Sequence, residues 1–271
     1  MSLITISRGI GCGGMIIARL VADGLKLALF DDKRLEQEVL KAGIPGEGSE
    51  LIKEKSPGFL DKIWSRRPEI YLDYMDAVIY EVAKKGEGVI IGHGSQMLLR
   101  DFECALHVRI RASESTRIRN MMTQKGLSEE VARKLIHKRD HEQRGFFRYA
   151  FHMDWNDPAL YDLIINTEQI GLDLAAKLVM EAAGSEPIKA CSLNALESME
   201  RLSLKKKIHA ALLENDVLMS TFSIDVPEKG VAEISGICSS EEEKADTVKT
   251  VKALPGVAEV RANIVVASHY E

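Results

Sequence analysis

Residues 3–25, Leu-Ile-Thr-Ile-Ser-Arg-Gly-Ile-Gly-Cys-Gly-Gly-Met-Ile-Ile-Ala-Arg-Leu-Val-Ala-Asp-Gly-Leu, decide the fold. Leu3 to Ser7 is an apolar run of strand length, Arg8 to Gly14 is glycine-rich, and Met15 to Leu25 places Ile16, Ala18, Leu20 and Val21 at helical spacing. Strand, glycine loop and helix in that order form an anion-binding unit. Glycines let backbone N–H groups approach phosphate oxygens, and the helix N-terminus points its positive dipole end at them.

The loop fits two patterns. Gly9, Gly11 and Gly14 satisfy G-x-G-x-x-G, and Asp31 follows Gly9 by 22 residues, where a dinucleotide fold places its ribose carboxylate. Gly9 and Gly14 also frame G-x-x-x-x-G-K-[ST], with Met15 and Ile16 standing where lysine and hydroxyl belong. The residues alone leave both open.

Downstream, Leu27–Phe30, Val89–Ile91, Ala105–Ile110 and Leu163–Ile165 read as four more short strands. Helical stretches fall around Leu35–Leu40, from Pro68 to Lys85, and from Ser113 onward, and residues 43–58, rich in Gly and Pro, read as a loop or mobile segment. The alternation predicts an α/β domain with a parallel sheet wrapped by helices, its ligands at the carboxyl ends of the strands. Near residue 184 the texture turns small and polar. The reading is a domain over 1–184, a linker over 185–196 that few contacts cross, and a small α+β domain over 197–271. In the last region the pattern gives a helix from about Leu196 to Leu213, a strand to Val226, a turn at Glu228-Lys229-Gly230, a strand to Ser235, a helix from Ser240 and a strand from Val257 to Val266.

Composition narrows the function classes. The 271 residues carry a formal net charge of -5, which argues against a general nucleic-acid or anionic-membrane binder, so any anion site is local. The cysteines, Cys12, Cys104, Cys191 and Cys238, form no C-x-x-C pair and suggest neither a zinc knuckle nor a disulfide framework, and no metal ligand set stands out. With no signal-like or membrane-length apolar run, a cytoplasmic protein is expected. Cys12, near a helix N-terminus, is a place where a thiol pKa falls. Between Arg133 and Arg148 six basic residues (Arg133, Lys134, Lys138, Arg139, Arg144, Arg148) face two acids (Asp140, Glu142), a focused basic stretch in an acidic chain. Lys205, Lys206 and Lys207 read as a solvated helix face, and Asp154, Trp155 and Asp157 as turn-formers.

The opening segment, with FDDKRL, VIIGHGSQMLL, HVRIRASESTRIR and KRDHEQRGFFRYAFHMDWNDPALYDLIINT in order, resembles the cytidylate kinase-like family over about Leu3 to Ala182. The resemblance tips the loop toward a P-loop kinase. It implies ATP with Mg2+ as donor and transfer of the γ-phosphate to a nucleoside monophosphate such as CMP or dCMP. It further implies that Gly9, Gly11, Cys12, Gly13 and Gly14 line the donor phosphates, and that Asp31 or Asp32 faces the acceptor or the magnesium shell. Arg117 resembles the arginine flanking the donor base, and Arg139, Arg144 and Arg148 resemble lid arginines. Met15 and His93 depart from that pattern, each standing where a cation is usual, and Arg8 is a substitute cation or a surface residue. A second reading is therefore a nucleotide sensor that binds without turnover; a remote third is an NAD-binding Rossmann protein. Residues from about Leu202 to Val266 resemble a BON domain, which implies binding, by a protein partner or self-association, rather than catalysis. From Glu197 on, nine basic side chains against thirteen acidic ones argue against a hold on anionic lipid.

Overall fold

The structure, a computed structural model, describes residues 2–41, 67–190 and 192–267. The expected loop over 43–58 lies outside the described residues. In chain order the elements are β1 (Leu3–Arg8), α1 (Gly14–Leu25), β2 (Leu29–Phe30), α2 (Asp32–Lys41), α3 (Pro68–Ala83), β3 (Gly88–Ile91), α4 (Ser95–Leu98) and β4 (Ala105–Arg111). There follow α5 (Glu114–Lys125), α6 (Glu129–Phe151), β5 (Leu163–Asn166), α7 (Thr167–Ile170), α8 (Leu172–Ala183) and α9 (Glu186–Lys189). The chain closes with α10 (Leu193–Glu214), β6 (Phe222–Glu228), β7 (Val231–Cys238), α11 (Glu241–Lys252) and β8 (Glu259–Val266).

The first five strands form one parallel sheet in the order β2-β3-β1-β4-β5. β1 sits in the middle, its chain leaving toward β2 and β3 on one side before crossing to β4 on the other. That reversal beside β1 is where open α/β sheets bind ligands. The order also excludes the dinucleotide reading, because a Rossmann sheet places strand 2, not strand 3, next to strand 1.

Alternation along β1 and β4 gives the sheet two unlike faces. Ile4, Ile6, Val108 and Ile110 join Ile17, Ala18 and Val21 of α1 and Ala175, Ala176 and Val179 of α8 in one apolar core. The opposite positions, Thr5, Ser7, His107 and Arg109, are also buried, yet polar. Thr5 Oγ1 lies 2.8 Å from His107 Nδ1, and burial holds the His107 imidazole below its ordinary pKa. Side-chain caps start the helices beyond β4: Ser113 Oγ accepts from Thr116 N and Ser128 Oγ from Val131 N.

Spatial clustering divides the chain into two compact units, Met1–Lys33 with Lys85–Ala195, and Arg34–Lys84 with Leu196–Glu271. A boundary drawn along the chain at 184 does not express this grouping, because α3 belongs with the C-terminal elements. The second unit contains the three-stranded sheet β6-β7-β8, with β6 and β7 antiparallel and β8 parallel to β7. Its core joins Ile208, Ala211 and Leu212 of α10 to Phe222, Ile224, Ala232, Ile234, Val251 and Ile264. The helix-strand-strand-helix-strand order is the one read from the sequence, and Gly230 at its first turn takes φ 75°.

Among the described residues no helix is long and apolar enough to cross a membrane. Cys12 and Cys238 are free and buried, whereas Cys104 is disulfide-bonded, which corrects the expectation of cysteines without a disulfide.

Candidate functional site

The loop from Gly9 to Gly14 closes directly onto α1. Gly13 is the N-cap residue at φ 79°, and its carbonyl accepts from Ile16 N and Ile17 N. The N–H groups of the first helical turn are left for a ligand by the geometry of any helix start. Gly11 takes φ 82°, and a β-carbon there would lie 2.8 Å from the Arg117 carbonyl oxygen. Both facts require glycine. Asn120 Nδ2 donates to Gly11 O at 2.8 Å and Thr167 Oγ1 to Cys12 O at 3.0 Å, so α5 and α7 hold the loop from two sides.

Arg117 runs along this loop. Its Nε donates to Ile10 O at 2.7 Å, and Nη1 and Nη2 donate to the two carboxylate oxygens of Asp140 on α6 at 2.8 and 2.7 Å. Burial would lower its pKa, but the Asp140 carboxylate raises it. Cys12 is buried beside it. Burial pushes its thiol pKa up against the attraction of Arg117 and Arg109, which corrects the expectation of a lowered one.

A second group gathers at the carboxyl ends of β1, β2 and β3. Arg8 Nη2 lies 3.3 Å from Asp32 Oδ2, and His93 Nε2 lies 3.1 Å from Asp32 Oδ1. Burial alone would raise the Asp32 carboxyl, but the hydrogen bond and charge of His93 and the charge of Arg8 hold it below its ordinary pKa. Arg8 is therefore neither a stray surface residue nor free for phosphate as it stands. Asp31 sits one residue earlier, where β2 ends. Met15 is half-buried and packs against the apolar core, and Ile16 is exposed.

The basic helix α6 is mostly self-neutralised. Arg133 pairs with Glu114 and Glu129, Lys134 with Glu130, and Arg139 with Glu142 at 2.9 Å. Arg144 and Arg148 are exposed and, among the described residues, make no ion pair; Arg144 Nε donates to Asp140 O at 3.3 Å. The end of α6 reaches the turn after β3: a β-carbon on Gly94 would lie 2.3 Å from the Phe151 ring. One helix thus meets the loop through Asp140 and the β3 turn through Phe151.

Two contributors escaped the sequence reading. In the sequence Asp140 is only an acid in a basic run. Arg109, on the buried polar face, donates to Ser7 Oγ at 3.1 Å, Tyr161 Oη at 3.3 Å and Asn156 Oδ1 at 2.9 Å, with its guanidinium 3.7 Å from the Trp155 ring centroid. It fastens the 154–161 segment beneath the carboxyl end of β1, and burial lowers its pKa. The period-two spacing of His107, Arg109 and Arg111 was the available signal. Asp154 and Asp157 shape turns, as expected, accepting from Asn156 N at 3.0 Å and Ala159 N at 2.9 Å.

A central parallel strand feeding a glycine loop and helix, in a sheet of order β2-β3-β1-β4-β5, defines a P-loop nucleotide-binding fold. The chain belongs to the cytidylate kinase-like family, which it matches over residues 3–169. It is 26% identical over 182 residues to the cytidylate kinase of Pyrobaculum islandicum, covering 67% of this chain and 92% of that one. To the cytidylate kinase of Staphylothermus marinus it is 25% identical over 190 residues, covering 67% and 96%. Among solved structures it is similar to an uncharacterized protein from Eubacterium ventriosum, at 21% identity and a TM-score of 0.54 over 67% of this chain and 97% of that one, a likeness of fold.

Proposed function

We propose that the chain is an ATP-dependent nucleoside-monophosphate kinase that transfers the γ-phosphate of ATP to CMP or dCMP. The observation that carries this reading is the convergence of Arg8, Asp32 and His93 at the ends of three adjacent strands, beside a glycine loop on a helix N-terminus. The loop holds the donor phosphates through Gly11, Gly13 and Gly14. An acceptor phosphate oxygen attacks the γ-phosphorus in line, the bond to the β-phosphate oxygen breaks, and ADP leaves with that electron pair. Catalysis of such a step is positioning plus neutralisation of charge on the moving group. Arg144 and Arg148 are the exposed cations for that task, with Arg139 released from Glu142 as a third. In this reading Asp31 or Asp32 faces the acceptor nucleotide or the magnesium shell; Mg2+ takes one or two carboxylates and otherwise phosphate oxygens and water, so one of these aspartates would suffice to hold it, and the ion would neutralise phosphate charge.

A second reading, a sensor that binds nucleotide without turnover, is favoured by one specific observation. Met15 brings no charge to the loop, and Arg8 and Arg117 are already engaged by Asp32 and Asp140. The C-terminal region, over 197–271 after a linker at 185–196, is in this proposal a BON-like interaction module, supported by its element order. The site is expected to work in the cytoplasm, where ATP is available.

A phosphoryl-transfer assay with ATP-Mg2+ against a panel of nucleoside monophosphates, run beside calorimetry, tests both readings. Turnover with CMP or dCMP supports the kinase, binding without turnover supports the sensor, and no nucleotide binding overturns both.

A further inference from the structure

The helices α3 and α10 lie antiparallel in the second unit and are joined along their length by a seam of polar contacts. Arg67 pairs with Asp216, Lys206 with Asp73 at 2.9 Å and Asp76 at 2.8 Å, and His209 with Asp73. Further along, Ser203 Oγ donates to Ala77 O at 2.9 Å, Lys207 pairs with Glu81, and Lys84 with Glu200. The side chains of Asp73 and Asp76 are only 6% and 10% exposed, and Ser203 is buried. Burying two carboxylates under one ammonium fixes a single register, since removing or displacing that cation leaves charge in a dry site.

The position of α3 in the chain gives the seam its consequence. The segment between β2 and β3 starts at Asp32, the first residue of α2, and returns through α3 to Gly88, which opens the strand leading to His93. Asp32 and His93 are partners in the site. What α10 grips is therefore α3, which lies in the chain between the acceptor-side pair Asp32 and His93.

We propose that the C-terminal module regulates acceptor binding through this seam, α10 acting as the handle on α3. The proposal rests on the acceptor reading of the Asp32 site. Linkage makes it reciprocal: acceptor binding tightens the seam, and loosening the seam weakens acceptor binding by the same factor.

Hydrogen exchange on the full chain tests it, with CMP plus a non-hydrolysable ATP analogue and Mg2+ as the probe. The expected result is slowed exchange in residues 28–41 and 88–94, accompanied by slowing of about fivefold or more across 196–214, since couplings of this kind span roughly 5- to 150-fold. In Lys206→Met the response of 196–214 is expected to vanish and the CMP Kd to rise by about fivefold or more. Ser203→Ala, which removes only two hydrogen bonds, serves if Lys206→Met does not fold. Protection of 28–41 with 196–214 unresponsive in the unaltered protein overturns the coupling alone. No protection at 28–41 overturns the acceptor reading, and the coupling falls with it.

Discussion

Arg117 and Asp140 form a two-pronged ion pair, at 2.8 and 2.7 Å, that ties the phosphate loop to the basic helix α6. Their side chains are 11% and 24% exposed, so the pair is screened far less than a surface one. Removing one partner leaves a charge in a half-dry site, so Asp140→Ala is expected to destabilise the protein by about 2 to 3 kcal/mol. Urea unfolding checks this, and a loss under about 0.5 kcal/mol, the size of an ordinary surface change, would show the pair to be dispensable.

Gly11 allows a sharper test of the loop. A side chain there faces both a positive φ and the Arg117 backbone at 2.8 Å, and backbone cannot swing aside. Gly11→Ala is expected to weaken ATP binding by about tenfold or more, the equivalent of roughly 1.4 kcal/mol of strain on the bound loop, with circular dichroism unchanged. Calorimetry giving the wild-type affinity would remove this loop from the site.

Arg139 and Arg144, proposed as lid arginines, allow binding to be separated from chemistry. Contacts that strengthen as charge develops lower turnover more than ground-state affinity, so Arg139→Ala and Arg144→Ala are expected to reduce kcat by about 10- to 100-fold while ATP affinity changes less than about threefold. Equal losses in the two quantities would reduce these residues to ground-state binders.

Met15 offers a gain-of-function test. It stands half-buried in the first turn of α1, and a longer cationic side chain can carry its charge past the core edge toward the loop. Met15→Lys is expected to raise phosphoryl transfer by about tenfold, below the full 100- to 1000-fold span of a preorganised contact because the stem gives up packing. Single-turnover measurements on Met15→Lys, Arg8→Ala and the double variant decide it. Tighter ATP binding without faster transfer favours the sensor.

The seam makes a prediction about pH. Burial pushes the Asp76 carboxyl up to about 6 from 3.8, against the pull of Lys206 and with the help of Asp73. A folded-state pKa raised in this way gives stability that is present below about pH 4 and is lost as pH rises through 6. The difference in unfolding free energy between Asp76→Asn and wild type is thus expected to shift toward the variant by about 2 kcal/mol from pH 4 to pH 7. A difference that stays flat over that range would mean that Asp76 titrates normally in the folded protein.

Much of the fold was legible because hydrophobic period survives in one dimension. β1 at Leu3–Arg8, β4 at Ala105–Arg111 and β8 at Glu259–Val266 fall within two residues of the runs that announced them. Strand order was not legible, and only the placement of β3 beside β1 separates the P-loop reading from the dinucleotide one. The glycine loop, Asp32 and His93 were recognisable from motif position, but their pairing was not, because it depends on strand order. The lysines at 205–207 show the same gap. A charge run looks solvated unless its partner is known, and the carboxylate that Lys206 meets lies 133 residues away at Asp73. Arg109 was hidden for a related reason: the alternation of His107, Arg109 and Arg111 marks a polar face of the strand but does not say whether that face meets water or Trp155.

The second unit is assembled from two stretches of chain, Arg34–Lys84 and Leu196–Glu271, and this has a consequence for biosynthesis. As the polypeptide leaves the ribosome, the five-stranded sheet acquires its last strand by Asn166, yet α3 waits for Lys206 before Asp73 and Asp76 meet a cation. At roughly 5 to 20 residues per second, that interval is about 2 to 8 seconds. The nascent chain therefore exports all five strands of the first sheet before α3 can meet its partner helix.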